Sequence, residues 1–459
     1  MMGKYNYSEE EQKMVNVLTY QDKQLKGLSE EINNDKIRNE REATIKAAEL
    51  KLKAMGIPLP NSTINNPDTP KKLMVVPSWD KLCKEAELSV GSSCELETLF
   101  TEAELKRNSL EIKQLNNDYN QLHKLDKIDI TISAFAGIIS AAVDILLVGI
   151  PQRGKEGLEA GALSNFIRKK FEEAFPQDEM EKLANSKISK VPYDAQDNRN
   201  TTTHVEGLSA YYHRLLSLGH DPLLGFVVGV FDILTGRMTT IDKTGKIVSQ
   251  VMENYADRKE SNIFAAIAKQ FLHLKSDITT SMGLPVPMMS LFNLLQFGSI
   301  GEYEQTIAEI VQGMYYEGYD FIHFCSMSIP VMITEVIVRI SYAIKRIKEG
   351  NKIKDSIPFS LNREKHPKLS TMLFIAHSGA TAINAGKVYF TQNPMAINYP
   401  QWIAFAKYSY KQLKWALIEK PEAREAYVNG KLAERWKALE SDIGNHFEEF
   451  SKDYYIVFE

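Results

Sequence analysis

Long apolar stretches alternate with strongly charged ones along this 459-residue chain. The most apolar stretch, residues 130–148 (ITISAFAGIISAAVDILLV), carries its one charge at Asp144. A helix that spans a bilayer needs about 20 such residues, so this run predicts a helix that crosses a membrane or fills the core of a large soluble protein. Residues 222–235 form a shorter apolar run. Residues 284–300 and 327–344 form two more, which prolines and charges interrupt.

One phrase occurs in two of these apolar runs. GIISAAVDIL at 137–146 and GFVVGVFDIL at 225–234 each place an Asp seven residues after a Gly and follow it with Ile-Leu. A carboxylate in an apolar setting is retained when it is hydrogen-bonded, ion-paired or bound to a metal. We therefore expect the two segments to lie against each other, with glycines that allow close approach and with Asp144 and Asp232 facing common partners.

The rest of the hydrophobic pattern is helical. Apolar residues recur at helical spacing in patches between residues 159 and 446, whereas the period-two alternation of strands is nearly absent. GRMTTIDKTGKIV, residues 236–248, predicts a short β-hairpin that turns at Thr-Gly. The predicted fold class is all-α: a multi-helix bundle, soluble or partly embedded in a membrane, with an N-terminal helical arm.

The N-terminal part of the chain has a different character. Residues 8–55 and 96–127 are rich in helix formers and charges, and a Pro- and Asn-containing tract within residues 56–80 is typical of a linker. These segments predict a coiled-coil-like arm that is either solvated or engaged by a protein partner or a second copy. The predicted domains are the arm at 1–127, an apolar helical core at 128–300 and a C-terminal helical region at 301–459.

Composition and charge narrow the class of function. A formal net charge of −4 gives no electrostatic footprint for nucleic acid. Three scattered cysteines indicate neither a disulfide framework nor a structural zinc site, and they fit a reducing compartment. The sequence starts without a basic stretch followed by an apolar core, so we expect no secretory signal. The expected location is the cytoplasmic membrane, with membrane lipid as a partner and the arm in the cytoplasm; the alternative is the cytoplasm itself.

Candidate chemistry is concentrated in two polar phrases beside the apolar runs. In YYHRLLSLGHD, residues 211–221, His213 and His220 are seven residues apart, which is two turns of a continuous helix. In FLHLKSD, residues 271–277, His273 and Asp277 are spaced i, i+4 and so share a helix face, a workable spacing for metal ligands. With the two apolar-run aspartates, these residues supply the mixed nitrogen and oxygen ligands of hydrolytic metal centres.

The order of these phrases resembles the LexA-regulated inner-membrane metal-dependent hydrolases. That family carries a Gly-rich helix ending in Pro-Asp-x-Asp, then His-Arg-Gly-x-Thr-His-Ser, and later His-Leu-x-x-Asp followed by Thr-x-x-Gly-x-Pro. In this chain His213 and Arg214 match the His-Arg of the second phrase, and His273 and Asp277 match the His and Asp of the third. Thr280, Gly283 and Pro285 match the Thr-x-x-Gly-x-Pro that follows.

The match covers residues 130–290 and departs from the family in three places. The acidic phrase is reduced to Asp144, the second His follows the first by seven residues rather than five, and Leu215 replaces the Gly after Arg. The resemblance implies a helical membrane protein with a hydrolytic metal site.

These observations lead to two hypotheses of function. In the first, the protein is a membrane-associated hydrolase of a phosphate- or lipid-like substrate, dependent on divalent zinc, manganese or magnesium. Its metal ligands are Asp144, His213, Asp232, His273 and Asp277, and its catalytic residues are Arg214, which holds an anionic substrate group, and His220. In the second, a non-enzymatic membrane or scaffold protein pairs its buried acids with cations and recruits a partner through the arm.

Overall fold

A computed structural model describes residues 6–32, 35–57, 71–154, 157–300 and 304–459. Helix makes up 67% of the structure and strand 7%, so the prediction of a mostly helical protein with little strand is confirmed. The described residues form sixteen α-helices and six short strands.

The helices are α1 (Glu9–Ile32), α2 (Asp35–Ala54), α3 (Trp79–Val90), α4 (Glu102–His123), α5 (Lys127–Val143), α6 (Ala162–Ala174), α7 (Gln177–Ala184), α8 (His213–Leu216), α9 (Val228–Thr235), α10 (Ile263–Asp277), α11 (Ile307–Tyr316), α12 (Phe321–Lys348), α13 (Ile353–Ser356), α14 (Leu369–Thr391), α15 (Tyr399–Lys414) and α16 (Lys420–Ser451). The strands are β1 (Lys72–Val76), β2 (Gln152–Gly154), β3 (Gly157–Glu159), β4 (Arg237–Ile241), β5 (Ile247–Val251) and β6 (Tyr454–Phe458).

The chain divides into two compact units that differ from the three predicted domains. The first unit contains residues up to Gln121 together with Pro421–Glu459, and the second is Leu122–Lys420. The C-terminal residues join the first unit because β6 pairs in parallel with β1, with Lys72 opposite Tyr454.

The first unit is a small helical assembly. Helix α1 packs along α3, where Val15, Val17 and Ala86 are buried. Much of the rest of α1 is solvated, and Leu25 and Leu28 are among its exposed apolar residues. Of the predicted linker at 56–80, residues 58–70 lie outside the described residues, and β1 and the beginning of α3 occupy its C-terminal part. Engagement of the arm by a partner stays a prediction.

Four long helices of the second unit form a bundle. Helix α5 packs against α12 and α14, and α15 packs against the same two helices. A Cβ atom at Gly137 would lie 2.5 Å from the carbonyl oxygen of Ala376, so glycine is what lets α5 approach α14 this closely. The buried hydroxyl of Ser140 donates to the carbonyl of Pro330 in α12, at 2.8 Å.

The remainder of the second unit contains the predicted hairpin. Strands β4 and β5 pair antiparallel, with Thr240 opposite Val248, and Gly245 adopts φ +83° at the turn. This confirms the hairpin and its Thr-Gly turn. The apolar face of the hairpin packs with Tyr193 and Ile233 in one buried cluster, which fixes the position of the loop that precedes Asp194.

Two helical stretches are long and apolar enough to cross a membrane by length and composition, namely Glu102–Val148 and α12. Core helices of soluble proteins pass the same test, but they are mostly buried. Here 33% and 39% of the two apolar windows are buried, and side chains such as Ile138 on α5 and Val336 on α12 are exposed. Insertion in a membrane stays a prediction, and the exposed apolar faces favour it.

We predict that the full-length protein sediments with membranes and that Ile138→Asp lowers the sedimented fraction. A carboxylate at the centre of a spanning helix costs about 2.5–3.5 kcal/mol of insertion free energy. Leu88→Asp is the matched control, because Leu88 is 90% exposed on the first unit. Quantitative immunoblotting of high-speed pellet and supernatant measures the effect. Monodisperse wild-type protein in a detergent-free supernatant would contradict the prediction.

Candidate metal centre

Helix α10 supplies two of the candidate ligands in its last turns. Its N-terminus is capped by Asn262, whose side chain accepts hydrogen bonds from the backbone of Phe264 and Ala265. At the other end His273 and Asp277 are both buried, with 3.7 Å between His273 Nε2 and Asp277 Oδ2. The i, i+4 spacing therefore brings the two side chains together as predicted from the sequence.

His213 and His220 also meet, although no continuous helix joins them. Helix α8 begins at His213 and ends at Leu216, Ser217 is extended, and a 3-10 turn follows at Leu218–His220. The two imidazole rings lie with centroids 5.3 Å apart, and the His220 ring lies 5.0 Å from that of His273. Three histidines thus converge where α8 and the 3-10 turn face the end of α10.

The fifth group, Asp194, was missed by the sequence analysis. It lies in an irregular segment before α8, and its Oδ1 is 3.6 Å from both His213 Nε2 and His220 Nε2. Its side chain is 27% exposed whereas those of the three histidines and Asp277 are at most 6% exposed, so the cluster meets solvent at Asp194. The available signal was a Pro-containing loop with two aspartates, Asp194 and Asp197, outside the apolar runs.

The facing atoms of this cluster do not satisfy one another. Separations of 3.6–3.8 Å between the imidazole Nε2 atoms and the carboxylate oxygens are too long for hydrogen bonds. Among the described residues, Nε2 of His213, His220 and His273 has no hydrogen-bond partner, although all three atoms are buried. Ligand atoms about 2.0–2.2 Å from one ion lie roughly 3–4 Å from each other. The buried His/Asp grouping can therefore hold a metal ion.

The protonation states of His213 and His273 suit a cation. Nδ1 of His213 lies 3.0 Å from the carbonyl oxygen of Ala210, which can only accept, so the hydrogen is on Nδ1 and Nε2 keeps its lone pair. Burial, with His220 and Arg214 nearby, lowers the pKa of His213 to about 4. Burial likewise lowers the pKa of His273. At neutral pH these imidazoles are uncharged, as metal ligands must be.

The carboxylate of Asp194 is ionised in the same setting. Burial alone would raise its pKa, but the facing rings of His220, His273 and His213 outweigh that effect and hold the pKa below the ordinary value. Uncharged His213 and His273 beside an ionised Asp194 give the site a net negative charge. A site of this charge attracts a divalent cation.

A hydrogen-bonded shell holds the histidines in place. The hydroxyl of Tyr193 donates to Oε1 of Gln270 at 2.5 Å, and Nε2 of Gln270 donates to the carbonyl of Gly219 at 2.7 Å. The Tyr193 ring meets the rings of His220 and His273 edge-on, with centroids 5.1 and 5.4 Å away. The residue before His220 and the helix that carries His273 are thus tied together through one buried amide.

Two glycines of the second repeat make room for that amide. A Cβ atom at Gly225 would lie 2.4 Å from the carbonyl oxygen of Gly219 and 2.6 Å from Nε2 of Gln270. A Cβ atom at Gly229 would lie 2.4 Å from Oε1 of Gln270. The glycines of the 225–234 phrase therefore let α9 pack closely on α10 and leave room for the Gln270 amide that holds the cluster in place.

Arg214 lies beside the histidines but is already engaged. Its Nη1 donates to Oγ1 of Thr280 at 2.5 Å, its Nη2 donates to Oδ1 of Asp277 at 3.2 Å, and its Nε is 3.0 Å from Oδ2 of Asp277. Its side chain is 12% exposed. The guanidinium is therefore placed to hold Asp277. The sequence analysis expected it to hold an anionic substrate group instead.

The two aspartates of the repeated phrase lie outside the cluster, which corrects their prediction as metal ligands. Asp144 is ion-paired with Lys387 at 3.0 Å and accepts hydrogen bonds from the amides of Asn384 and Asn398 at 3.1 and 2.7 Å. Lys387 and Asn384 lie on α14. Asp144 is thus satisfied within the long-helix bundle.

Asp232 has different partners from Asp144. It accepts hydrogen bonds from the backbone and hydroxyl of Thr239 in β4, both at 2.8 Å, and burial raises its pKa to about 6. The two repeats do not form the expected pair, because α5 packs against α12 and α14 whereas α9 packs against α10 and β4. Each acid is satisfied locally, so neither needs the other.

In comparisons with known proteins, no family model, curated protein or solved structure matches the chain.

We predict that the purified protein retains a divalent metal and that His273→Ala removes it. Loss of a direct ligand should lower metal affinity by more than the 10–100-fold that follows loss of a supporting hydrogen bond. His204→Ala is the matched control, since His204 is exposed and pairs with Glu206. Elemental analysis gives the metal content, and circular dichroism should show unchanged helix. Equal metal content in wild type and His273→Ala would contradict the assignment.

We predict that Gly225→Ala destabilises the protein by about 1–3 kcal/mol, because the new methyl group overlaps a backbone oxygen and the Gln270 amide. Gly313→Ala is the control: it is a helical glycine with no neighbouring atom within 4 Å of an added Cβ, so the change should stabilise by about 0.5–1 kcal/mol. Denaturant unfolding measures both. A neutral Gly225→Ala would show that the close approach does not constrain the fold.

Proposed function

We propose that the protein is a membrane-associated, metal-dependent hydrolase of a phosphate- or lipid-like substrate. The proposal depends on three buried imidazole nitrogens that face two carboxylates at 3.6–3.8 Å and find no hydrogen-bond partner within the described part of the chain. Leaving such atoms unpaired costs about 1–3 kcal/mol each, so a fold retains them only where something else compensates. A divalent ion is the partner that fits both kinds of ligand.

His213, His220, His273 and Asp277 are the proposed ligands. Three imidazoles favour zinc over manganese and magnesium, which prefer oxygen ligands. A divalent ion in this position would lower the pKa of a bound water and polarise a phosphoryl or acyl oxygen. In this assignment His220 is a ligand, whereas the sequence predicted a catalytic role for it.

Asp194 is the proposed acid–base residue. It is ionised, it lies within 3.6 Å of two of the ligand nitrogens, and it is the member of the cluster that solvent reaches. A carboxylate in this position can accept a proton from the attacking water and return it to the leaving group.

Arg214 is proposed as a positioning residue. Its contacts with Asp277 and Thr280 hold the carboxylate in one orientation and leave Oδ2 of Asp277 directed at the imidazoles of His220 and His273. Replacement by lysine would keep the charge but lose the forked geometry that contacts two side chains at once.

The alternative is a scaffold protein whose buried acids are structurally paired. The Asp144–Lys387 and Arg214–Asp277 pairs favour this reading for those acids. It gives no account of the three imidazole nitrogens, because a cluster with a purely structural role would be expected to pair them with donors.

We predict that Asp194→Asn lowers kcat/KM for hydrolysis by about 100-fold or more while metal stays bound, because the amide cannot accept the proton. Asp197→Asn is the matched control, three residues further on and paired with Arg199 at the surface. Release of nitrophenol from nitrophenyl phosphate mono- and diesters and from nitrophenyl acyl esters measures turnover. The same assays are repeated after a chelator has removed the metal and again after metal has been added back.

Equal activity in the two variants would remove Asp194 from the chemistry. Wild-type protein that binds metal but hydrolyses none of these substrates would instead favour a structural metal site and the scaffold alternative.

A further inference from the structure

A separate apolar cavity of about 570 Å³ lies in the second unit. Its wall is formed by α11, by the 3-10 turn at Met289–Leu294 and by the end of α14 with the loop that follows. None of the described residues that line it carries a charge, and Val286, Met289, Val311 and Met314 are typical of its interior. The volume is within the roughly 300–1,000 Å³ of small-molecule sites.

Two of the polar side chains in this wall are already hydrogen-bonded. The hydroxyl of Tyr319 donates to the carbonyl of Ile397 at 2.5 Å and accepts from the backbone of Tyr399 at 3.2 Å. The side chain of Gln392 donates to the carbonyl of Tyr389 at 2.5 Å. In a wall that is mostly apolar, a polar ligand would lose more hydration than it regains in hydrogen bonds, whereas a hydrocarbon would gain burial.

The rim differs from the interior. Ile300 and Tyr389 are 49% and 71% exposed, and the amide residues Gln305 and Gln392 stand beside them in the lining. An apolar wall with an amphipathic rim fits a ligand that has a hydrocarbon chain and a polar end.

The cavity shares structure with the candidate metal centre. Residues 277–289 run from Asp277 through Thr280, which Arg214 contacts, to Val286 and Met289 in the cavity wall. Leu215, the residue after Arg214, packs in the same buried cluster as Val286, Met289 and Val311. One segment and one apolar core therefore connect the two sites.

We propose that this cavity holds the hydrocarbon chain of an amphipathic lipid. The assignment of that lipid as the substrate of the metal centre rests on the proposed function, whereas the binding of the chain does not.

Photolabelling of the full-length protein with a diazirine-bearing palmitic acid tests the proposal. Tandem mass spectrometry should place the adducts on lining residues of 286–311 and 388–399 in preference to the exposed apolar face of α12. Val388→Trp in the cavity wall should lower cavity labelling by about ten-fold or more, because it displaces several methylenes of the chain. Phe359→Trp, at a residue 91% exposed outside the cavity, should label like wild type.

His273→Ala separates the two proposals, since it should leave cavity labelling unchanged. Cavity labelling in a wild-type protein that hydrolyses nothing would support the chain site and overturn only the proposed function. Adducts spread evenly over exposed apolar helices would overturn the chain site. Unchanged labelling of a folded Val388→Trp protein would overturn it too. If Val388→Trp melts at a lower temperature than the wild type, Ile310→Trp on α11 replaces it, and the same loss of cavity labelling is expected.

Discussion

The burial of three imidazoles and the Asp277 carboxylate beside the partly exposed Asp194 is the constraint on which the region of the second unit between Tyr193 and Asp277 depends. Desolvated groups of this kind are costly unless a partner compensates them, so the surrounding structure has to hold them in one geometry. The Tyr193–Gln270–Gly219 chain does so by joining the loop before α8, the 3-10 turn and α10. The β4–β5 hairpin supports the same loop through the cluster around Tyr193.

The parts of the site that the sequence predicted are those set by local spacing. His273 and Asp277 share a helix face by helical geometry alone. His213 and His220 were paired for a reason that does not hold, because the helix ends at Leu216, yet the extended Ser217 and the turn after it still return His220 to the cluster. Asp194 depends on how a loop folds over the hairpin core, and no periodicity encodes that.

The repeated phrase shows that two segments of similar sequence can occupy different structural environments. Gly137 and Gly225 both permit a close backbone approach, as expected, but the first meets α14 and the second meets the Gly219 carbonyl. Asp144 and Asp232 are each satisfied by groups from different elements, Lys387 in one case and Thr239 in the other. The pairing of β1 with β6, more than 370 residues apart, was equally beyond any local pattern, and it is why the domain boundaries differ.

The ion pair between Arg214 and Asp277 bears on both hypotheses of function. Taken alone it satisfies Asp277 as a structural pair would, and it holds Arg214 away from the role of a free anion-binding group. It does not reach the three imidazole nitrogens, which are the atoms that most need a partner. A guanidinium that orients one oxygen of a carboxylate toward two imidazoles is an arrangement in which a supporting contact fixes the orientation of a metal ligand. The same pair therefore supports the hydrolase hypothesis through its geometry, although its charges by themselves would fit either.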